Sequence, residues 1–371
     1  MTEGLSMLAA LAALFWLAIV VLPWQPWRNR EVLEAEAGEG DADLSDITVV
    51  IPARNEAEVI ATTLGALAAQ GRRLKVVVVD DASSDDTAAV ARQVQGLDLR
   101  VMQSQPLPPG WSGKLWALEQ ACGSVATPLT LLLDADIRLE PGMLPTLRRK
   151  MRSEGVHFVS LMATLRMDGV WEKLLMPAFV YFFKFLYPFA LSNSRFKGVA
   201  AAAGGCIMLE TRLLKDIGGF GVIREALIDD CSLARTVKGA GNRTWIGLSR
   251  SVVSLRSYDR LSEIWDMVAR TAYTQLRYSV VLLLLCTAFM FVLFWLPPLG
   301  LLAGGATAKV SFLAYGLMAL LYWPTLAFYG RSPWWAWAMP FIAALYMAMT
   351  WTSAIRYWRG VRSRWKGRVY E

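Results

Sequence analysis

The chain has one histidine, His157, in 371 residues, and four cysteines, Cys122, Cys206, Cys231 and Cys286, with no paired spacing. A Cys/His zinc site needs several such ligands close together, so that chemistry is excluded, as is a reaction that relies on a histidine base. His157 stands before the apolar pair Phe158-Val159 and reads as structural; the cysteines read as small residues packed in a reduced cytosolic interior. Charge is also scarce, at 19% of residues, where about a quarter is usual for a soluble chain. Neither a repeat of fixed period nor a low-complexity tract is present.

What is abundant is apolar, at 55% of residues, and it gathers at the two ends. Leu5 to Leu22 carry no charge and stop at Pro23-Trp24, ahead of Arg28 and Arg30. A bilayer span takes about 20 apolar residues, which this run just supplies. A cleaved signal peptide would show a basic start and a small-x-small site before Trp24; both are missing, so residues 1–27 are expected to be an uncleaved transmembrane anchor. Past Arg277 come Ser279–Leu302, interrupted by Pro297-Pro298, then Val310–Tyr329 and Trp334–Ile355, giving a C-terminal transmembrane region over 279–355. Three crossings from the cytosol would place the basic tail 356–371 outside, against the positive-inside tendency, so either one stretch is re-entrant or the tail is an exception. The net charge of +7 sits largely beside these segments and in that tail (Arg356, Arg359, Arg362, Arg364, Lys366, Arg368). With 16 tryptophans in the chain, the pattern points to a lipid bilayer with anionic headgroups as partner and not to nucleic acid.

Between the ends, residues 28–46 are acidic, include Gly38 and Gly40, and read as a solvated linker. From Ile47 the pattern becomes that of an α/β domain running to about residue 278. Ile47–Ile51, Lys75–Val79 and Thr130–Leu133 read as strands, followed by helical patterns over Ala57–Gln70, Asp85–Val94 and Leu144–Met151. Continuous apolar runs such as Val76 to Val79 suit strands buried on both faces. Such alternation predicts an open, doubly wound sheet that binds ligands beyond the carboxyl ends of its strands. Trp171 to Leu191, rich in Phe and Tyr, is expected to be an interfacial helix lying on the bilayer, with a buried core helix as the alternative.

Four motifs carry chemistry. Leu131-Leu132-Leu133-Asp134-Ala135-Asp136 brings two carboxylates to a strand end, where hard divalent cations such as Mg²⁺ find oxygen ligands beside substrate phosphates. Val76 to Val79 lead into Asp80 and Asp81, whose charges at the sheet edge can accept a pyrimidine N–H or a ribose hydroxyl, while Ser84 and Asp85 suit a helix cap. Pro52-Ala53-Arg54-Asn55-Glu56 follow the first strand, with Arg54 suited to phosphate and Asn55 and Glu56 to ribose or to capping the next helix. Trp111-Ser112-Gly113-Lys114 sets a cation at a helix start, a fair diphosphate site.

In this order and spacing the motifs resemble the family 2 glycosyltransferases of the GT-A fold. The similarity runs over residues 47 to 280. It takes in Pro52 to Glu56, the stretch from Asp80-Asp81 to Thr87, Asp134 to Asp136, Gly204-Gly205, Gly218-Gly219-Phe220, and Ile228-Asp229-Asp230-Cys231. Gly110 to Ala117 and the overall layout look closest to the hopanoid-biosynthesis-associated members. Two departures stand out. Asp229 occupies a position where the family commonly has Glu, and Thr274-Gln275-Leu276-Arg277-Tyr278 is a degraded form of the Gln/Arg-x-x-Arg-Trp motif, which argues against a processive polymer synthase.

The resemblance implies a GT-A-type mixed sheet flanked by membrane helices, a nucleotide-sugar donor, Mg²⁺ or Mn²⁺, and inversion by a single displacement. It assigns Asp230, with Asp229, to the catalytic base; Pro52, Arg54, Asn55, Glu56, Asp80, Asp81, Lys114, Asp134 and Arg277 to the donor; Asp134 and Asp136 to the metal; and Gly204, Gly205 and Tyr278 to the acceptor side. The expected acceptor is a membrane lipid, a hopanoid on the closest resemblance, at the cytosolic face of the inner membrane. The rivals are a catalytically silent scaffold of the same fold and a transferase for a ceramide-like lipid, a diacylglycerol or a polyprenyl phosphate. A transporter is disfavoured because the C-terminal spans carry scarcely any ionisable residue.

Overall fold

The structure is a computed structural model that describes residues 2–36, 41–361, 364–365 and 368–369. The chain divides into two compact units, one built from Glu31–Arg166 and Phe189–Ser257, the other from Met1–Arg30, Met167–Pro188 and Tyr258–Trp365.

The first unit is built on an eight-stranded mixed sheet. Its strands are β1 (Ile47–Ala53), β2 (Lys75–Asp80), β3 (Asp98–Gln103), β4 (Leu129–Leu133), β5 (Ile137–Leu139), β6 (Phe158–Thr164), β7 (Cys206–Glu210) and β8 (Thr244–Ser254), in spatial order β3-β2-β1-β4-β7-β6-β8-β5. β3, β2, β1 and β4 run parallel, and β7 enters antiparallel between β4 and β6. The unbroken apolar runs follow from burial on both faces: Val49, Ile51, Val76 and Val78 pack into one side and Val50, Val77, Val79 and Leu132 into the other. Register pairs Ala53 with Asp80 and Val50 with Leu132, so β1, β2 and β4 finish at one edge. That edge receives the polar motifs.

The acidic stretch expected as a solvated linker is docked where it is described. Val32 bridges Leu248 in parallel, and the Glu34 carboxylate accepts the N–H groups of Arg250 and Ser251, each at 2.9 Å. Those donors lie where the β6–β8 register shifts, between Ala163 and Thr164, so the carboxylate satisfies N–H groups that the ladder leaves over. Gly38 and Gly40 lie outside the described residues.

Among the described residues, the second unit holds four helices long and apolar enough to cross a membrane: Glu3–Val21, Val280–Ala303, Gly305–Phe328 and Pro333–Trp358. They meet through small residues and ring edges. Ala9, Ala12 and Ala13 are buried, and Trp16 donates to the Leu293 carbonyl at 3.2 Å. Leu14, Val281, Leu285 and Leu313 remain exposed, as side chains that face acyl chains would be. In the basic tail Arg362 and Lys366 lie outside the described residues, whereas Arg356 pairs with Asp266 at 2.6 Å.

The aromatic stretch 171–191 is divided between the units. Helix Val170–Leu186 groups with the apolar helices, Tyr181 packing edge-on against Tyr322 and the Tyr346 hydroxyl donating to the Leu175 carbonyl at 2.8 Å. Helix Phe189–Asn193 belongs to the sheet unit, where Asn193 exchanges two hydrogen bonds with the Ile246 backbone. Lys184, 1% exposed, explains why a cation is tolerated in the first helix: its ammonium donates to the Arg28 carbonyl and the Asn29 amide oxygen.

Candidate active site

The β1 and β2 loops lock each other. Arg54 donates to the carbonyls of Asp81 at 2.5 Å and Ala82 at 2.8 Å. Asn55 sits at φ +52°, a conformation that its short polar side chain tolerates, and its Oδ1 accepts the Ser84 N–H at 2.8 Å. The N–H groups of Asn55, Glu56 and Ala57 donate to the Ser83 hydroxyl, the Thr87 hydroxyl and the Asp85 carboxylate. Asp85 also takes the Thr87 N–H at 3.1 Å, so its work is structural. Asp80 is buried at the end of β2 and accepts the Ser83 N–H at 3.1 Å, with Asp81 buried beside it.

Lys114 stands in the first turn of helix Gly113–Cys122, which Ser112 caps by accepting the Leu115 N–H at 3.2 Å. Its ammonium lies 2.6 Å from Asp134 Oδ1. Burial works against that charge, but the carboxylates of Asp134 and Asp229 outweigh it and hold the lysine pKa above its ordinary value. The Asp134 N–H donates to the Gly205 carbonyl at 3.1 Å, and the neighbouring Gly204 N–H donates to Asp230 Oδ2 at 2.8 Å. A Cβ on Gly204 would stand 3.3 Å from Lys114 Nζ and 3.4 Å from Asp230 Oδ2, so ammonium and carboxylate converge beside this glycine.

Asp229 and Asp230 occupy the first turn of helix Asp229–Gly239, where the N-terminal end of the helix dipole favours negative charge. Even so, burial first and the Asp229 charge second push the Asp230 carboxyl up to about 7, against the bonds from the Cys231 and Gly204 N–H groups and the charge of Lys114. The Gly218-Gly219-Phe220 turn is held by Glu119, whose carboxylate accepts the Phe220 N–H at 2.7 Å. Gly219 has φ +72°, and a Cβ there would meet that carboxylate at 2.8 Å. One pocket is lined by Pro52, Lys114, Asp134, Gly204, Asp229 and Asp230.

Asp136 is the more enclosed acid of the Asp134-Ala135-Asp136 (DxD) pair. Burial raises its pKa, Arg256 opposes that shift, and Asp134 adds to it. Arg256 Nε lies 3.1 Å from Asp136 Oδ2 and Arg256 Nη2 lies 3.3 Å from Glu56 Oε1. Sequence reasoning missed Arg256 altogether. It follows β8, and only the antiparallel pairing of Ile137 with Ser254 brings it opposite the DxD turn. Among the described residues no group of three His, Cys, Asp or Glu side chains is placed to hold a metal. Two carboxylates at a strand end nevertheless fit Mg²⁺ or Mn²⁺, which fill their remaining positions with water and phosphate oxygens. Arg277 and Tyr278 fall in the other unit, both at positive φ, with Tyr278 stacked on Tyr357 at 4.4 Å between ring centres.

Residues 45–274, more than half of the chain, match the model of glycosyltransferase-like family 2. A 4,4'-diaponeurosporenoate glycosyltransferase of Staphylococcus haemolyticus is 33% identical over 101 residues, 27% of this chain and 26% of that protein. An undecaprenyl-phosphate 4-deoxy-4-formamido-L-arabinose transferase of Klebsiella pneumoniae is 29% identical over 131 residues, 34% and 39% of the two chains. The chain thus spans well under half the length of these relatives. A mannosyltransferase from Pyrobaculum calidifontis, solved with GDP-Man and Mn²⁺, superposes with a TM-score of 0.56 at 16% identity, over 96% of this chain and 98% of the other. That likeness confirms the GT-A-type fold with its flanking apolar helices.

Proposed function

The chain belongs to glycosyltransferase-like family 2, and from that premise we propose that it moves a sugar from a nucleoside diphosphate donor to a hydroxyl of a membrane lipid, with inversion. The observation that carries this reading is the convergence of the Asp134–Lys114 pair and Asp230 on Gly204. One end of that constellation suits a departing diphosphate and the other a proton acceptor.

In the displacement, the acceptor oxygen forms a bond to the anomeric carbon as the bond to the diphosphate oxygen breaks. Asp230 takes the hydroxyl proton, and the bonding pair leaves with the nucleoside diphosphate. A carboxyl pushed up to about 7 is well matched to that task, because a base works best with a pKa near the working pH. Lys114 opposes the charge growing on the leaving group from a fixed position. Asp80 and Asp81 face the nucleoside at the β2 end, while Pro52, Arg54, Asn55 and Glu56 shape its other wall. Mg²⁺ or Mn²⁺ held by Asp134 and Asp136 would supply Lewis-acid neutralisation of the diphosphate. Arg277 is assigned to the diphosphate and Tyr278 to the acceptor on their motif positions.

A lipid acceptor is supported by the four apolar helices of the same chain and by relatives named for 4,4'-diaponeurosporenoate and undecaprenyl phosphate. Within that class the Gly110-to-Ala117 wording favours a hopanoid, and the basic flanks favour the cytosolic face of the inner membrane. The test is purified protein in lipid, offered labelled UDP-, GDP- and dTDP-sugars with Mn²⁺ and a panel of hopanoid, ceramide-like, diacylglycerol and polyprenyl phosphate acceptors. Label entering the hopanoid supports the full reading, and label entering another lipid corrects the acceptor. A donor that binds without turnover means that the acceptor is missing from the panel or that the protein is a silent scaffold.

A further inference from the structure

Arg256 joins two enclosed carboxylates, Asp136 at 3.1 Å and Glu56 at 3.3 Å. Their side chains are 12% and 11% exposed, whereas the arginine is 34% exposed, so the cation is the member of the trio that solvent and ligand reach. The backbone fixes its position, since the Leu255 N–H donates to the Asp136 carbonyl at 2.8 Å. Removing the guanidinium from between two enclosed acids would take away the cation that both of them pair with.

We infer that Arg256 is a displaceable counter-cation. It neutralises Asp136 in the resting protein, yields that carboxylate when a divalent metal arrives with the nucleoside diphosphate, and turns its charge to the phosphates while Glu56 keeps hold of it. The inference rests on the transferase reading and adds a binding order to it. The guanidinium takes one lone-pair direction of Asp136 Oδ2 and repels an incoming cation, so it competes with a metal for that carboxylate. A guanidinium is a planar fork that matches carboxylate and phosphate alike, so the exchange costs it no partner type. Arg54, the other arginine at this edge, has Nη1 engaged by the Asp81 and Ala82 carbonyls. Metal alone must therefore compete with Arg256, whereas metal with diphosphate offers the guanidinium somewhere to go. By reciprocity, metal and nucleotide each tighten the other's binding.

The experiment uses the full chain in detergent and follows Mn²⁺ binding by loss of the free-ion electron paramagnetic resonance signal, with Mn²⁺ alone and with UDP or GDP added. For wild type, nucleotide should tighten Mn²⁺ binding about tenfold or more; Arg256→Gln should bind Mn²⁺ alone about tenfold tighter than wild type and lose most of the nucleotide effect. Arg256→Lys, which keeps the charge without the fork, should fall between them and decides the matter if Arg256→Gln does not fold. Unchanged or weaker Mn²⁺-alone binding in these variants overturns the inference. If neither nucleotide binds wild type, the donor assignment fails, while the metal-alone comparison still decides the role of Arg256.

Discussion

The ammonium of Lys114 lies 2.6 Å from the carboxylate of Asp134, although the two reach the site from different directions, one from a helix start and the other from the end of β4. The Gly204-Gly205 backbone links the pair to Asp230, since Asp134 donates its N–H to the Gly205 carbonyl and Asp230 accepts the Gly204 N–H. Replacing Lys114 by Met should therefore lower kcat about 100-fold, the usual loss when one fixed donor to a developing oxyanion is removed. Lys114→Arg, bulkier beside Gly204, should recover only part of it. Steady-state donor turnover measures both.

The elevated Asp230 pKa predicts the pH profile. The base must be ionised, so kcat/KM should rise about tenfold per unit up to about pH 7 and level off above. The stability effect has the opposite sign. The folded chain holds this proton more tightly than the unfolded chain, so ionising Asp230 costs stability as pH rises from about 4 to about 7. Asp230→Asn should lack that loss, which thermal unfolding at either end of the window would register. A flat rate profile over the window would rule Asp230 out as the base.

Gly204 offers a steric test. An added Cβ would crowd Lys114 Nζ at 3.3 Å and touch Asp230 Oδ2 at 3.4 Å, so the ammonium is the group that must give way. Gly204→Ala should thus lower kcat about tenfold or more by parting the two groups, a cost typical of misplacing catalytic atoms. Its melting temperature should stay near that of wild type.

Glu172 carries a prediction about stability alone. Fully buried, it accepts the N–H groups of Asp168 and Gly169, each at 2.9 Å, and of Tyr258 at 2.7 Å. Glu172→Ala should destabilise the chain by about 1–3 kcal/mol by removing the acceptor that these three part-buried N–H groups share. Glu172→Gln, which keeps one acceptor oxygen, should cost less. Thermal unfolding in detergent separates the two.

The sheet was legible in the sequence because Val76 to Val79 and Leu131 to Leu133 are apolar on both faces and end in acids. Parallel pairing then brings those acids to one edge. Lys114, Asp134 and Asp230, which line one pocket, stand in motifs that mark them in the sequence. Arg256 was not, since its place depends on β5 pairing with β8 across more than a hundred residues, and no local pattern marks a strand-end arginine. The docking of Glu34 was hidden for a similar reason, as the N–H groups it accepts exist only because β8 slips register against β6. In 171–191 the aromatic pattern marked a helix and gave no sign that Tyr187-Pro188 divides it between two units.

The central claim is that Asp230 is the base of a sugar transfer whose donor site lies at Asp80, Asp81 and Asp134. The most direct measurement compares wild type and Asp230→Asn in lipid, recording donor binding and turnover on the same samples with the donor that wild type uses. The account predicts that Asp230→Asn binds that donor within about threefold of wild type while turnover falls about 1,000-fold or more, since proton transfer is lost and the donor contacts are not. Turnover within tenfold of wild type would contradict it.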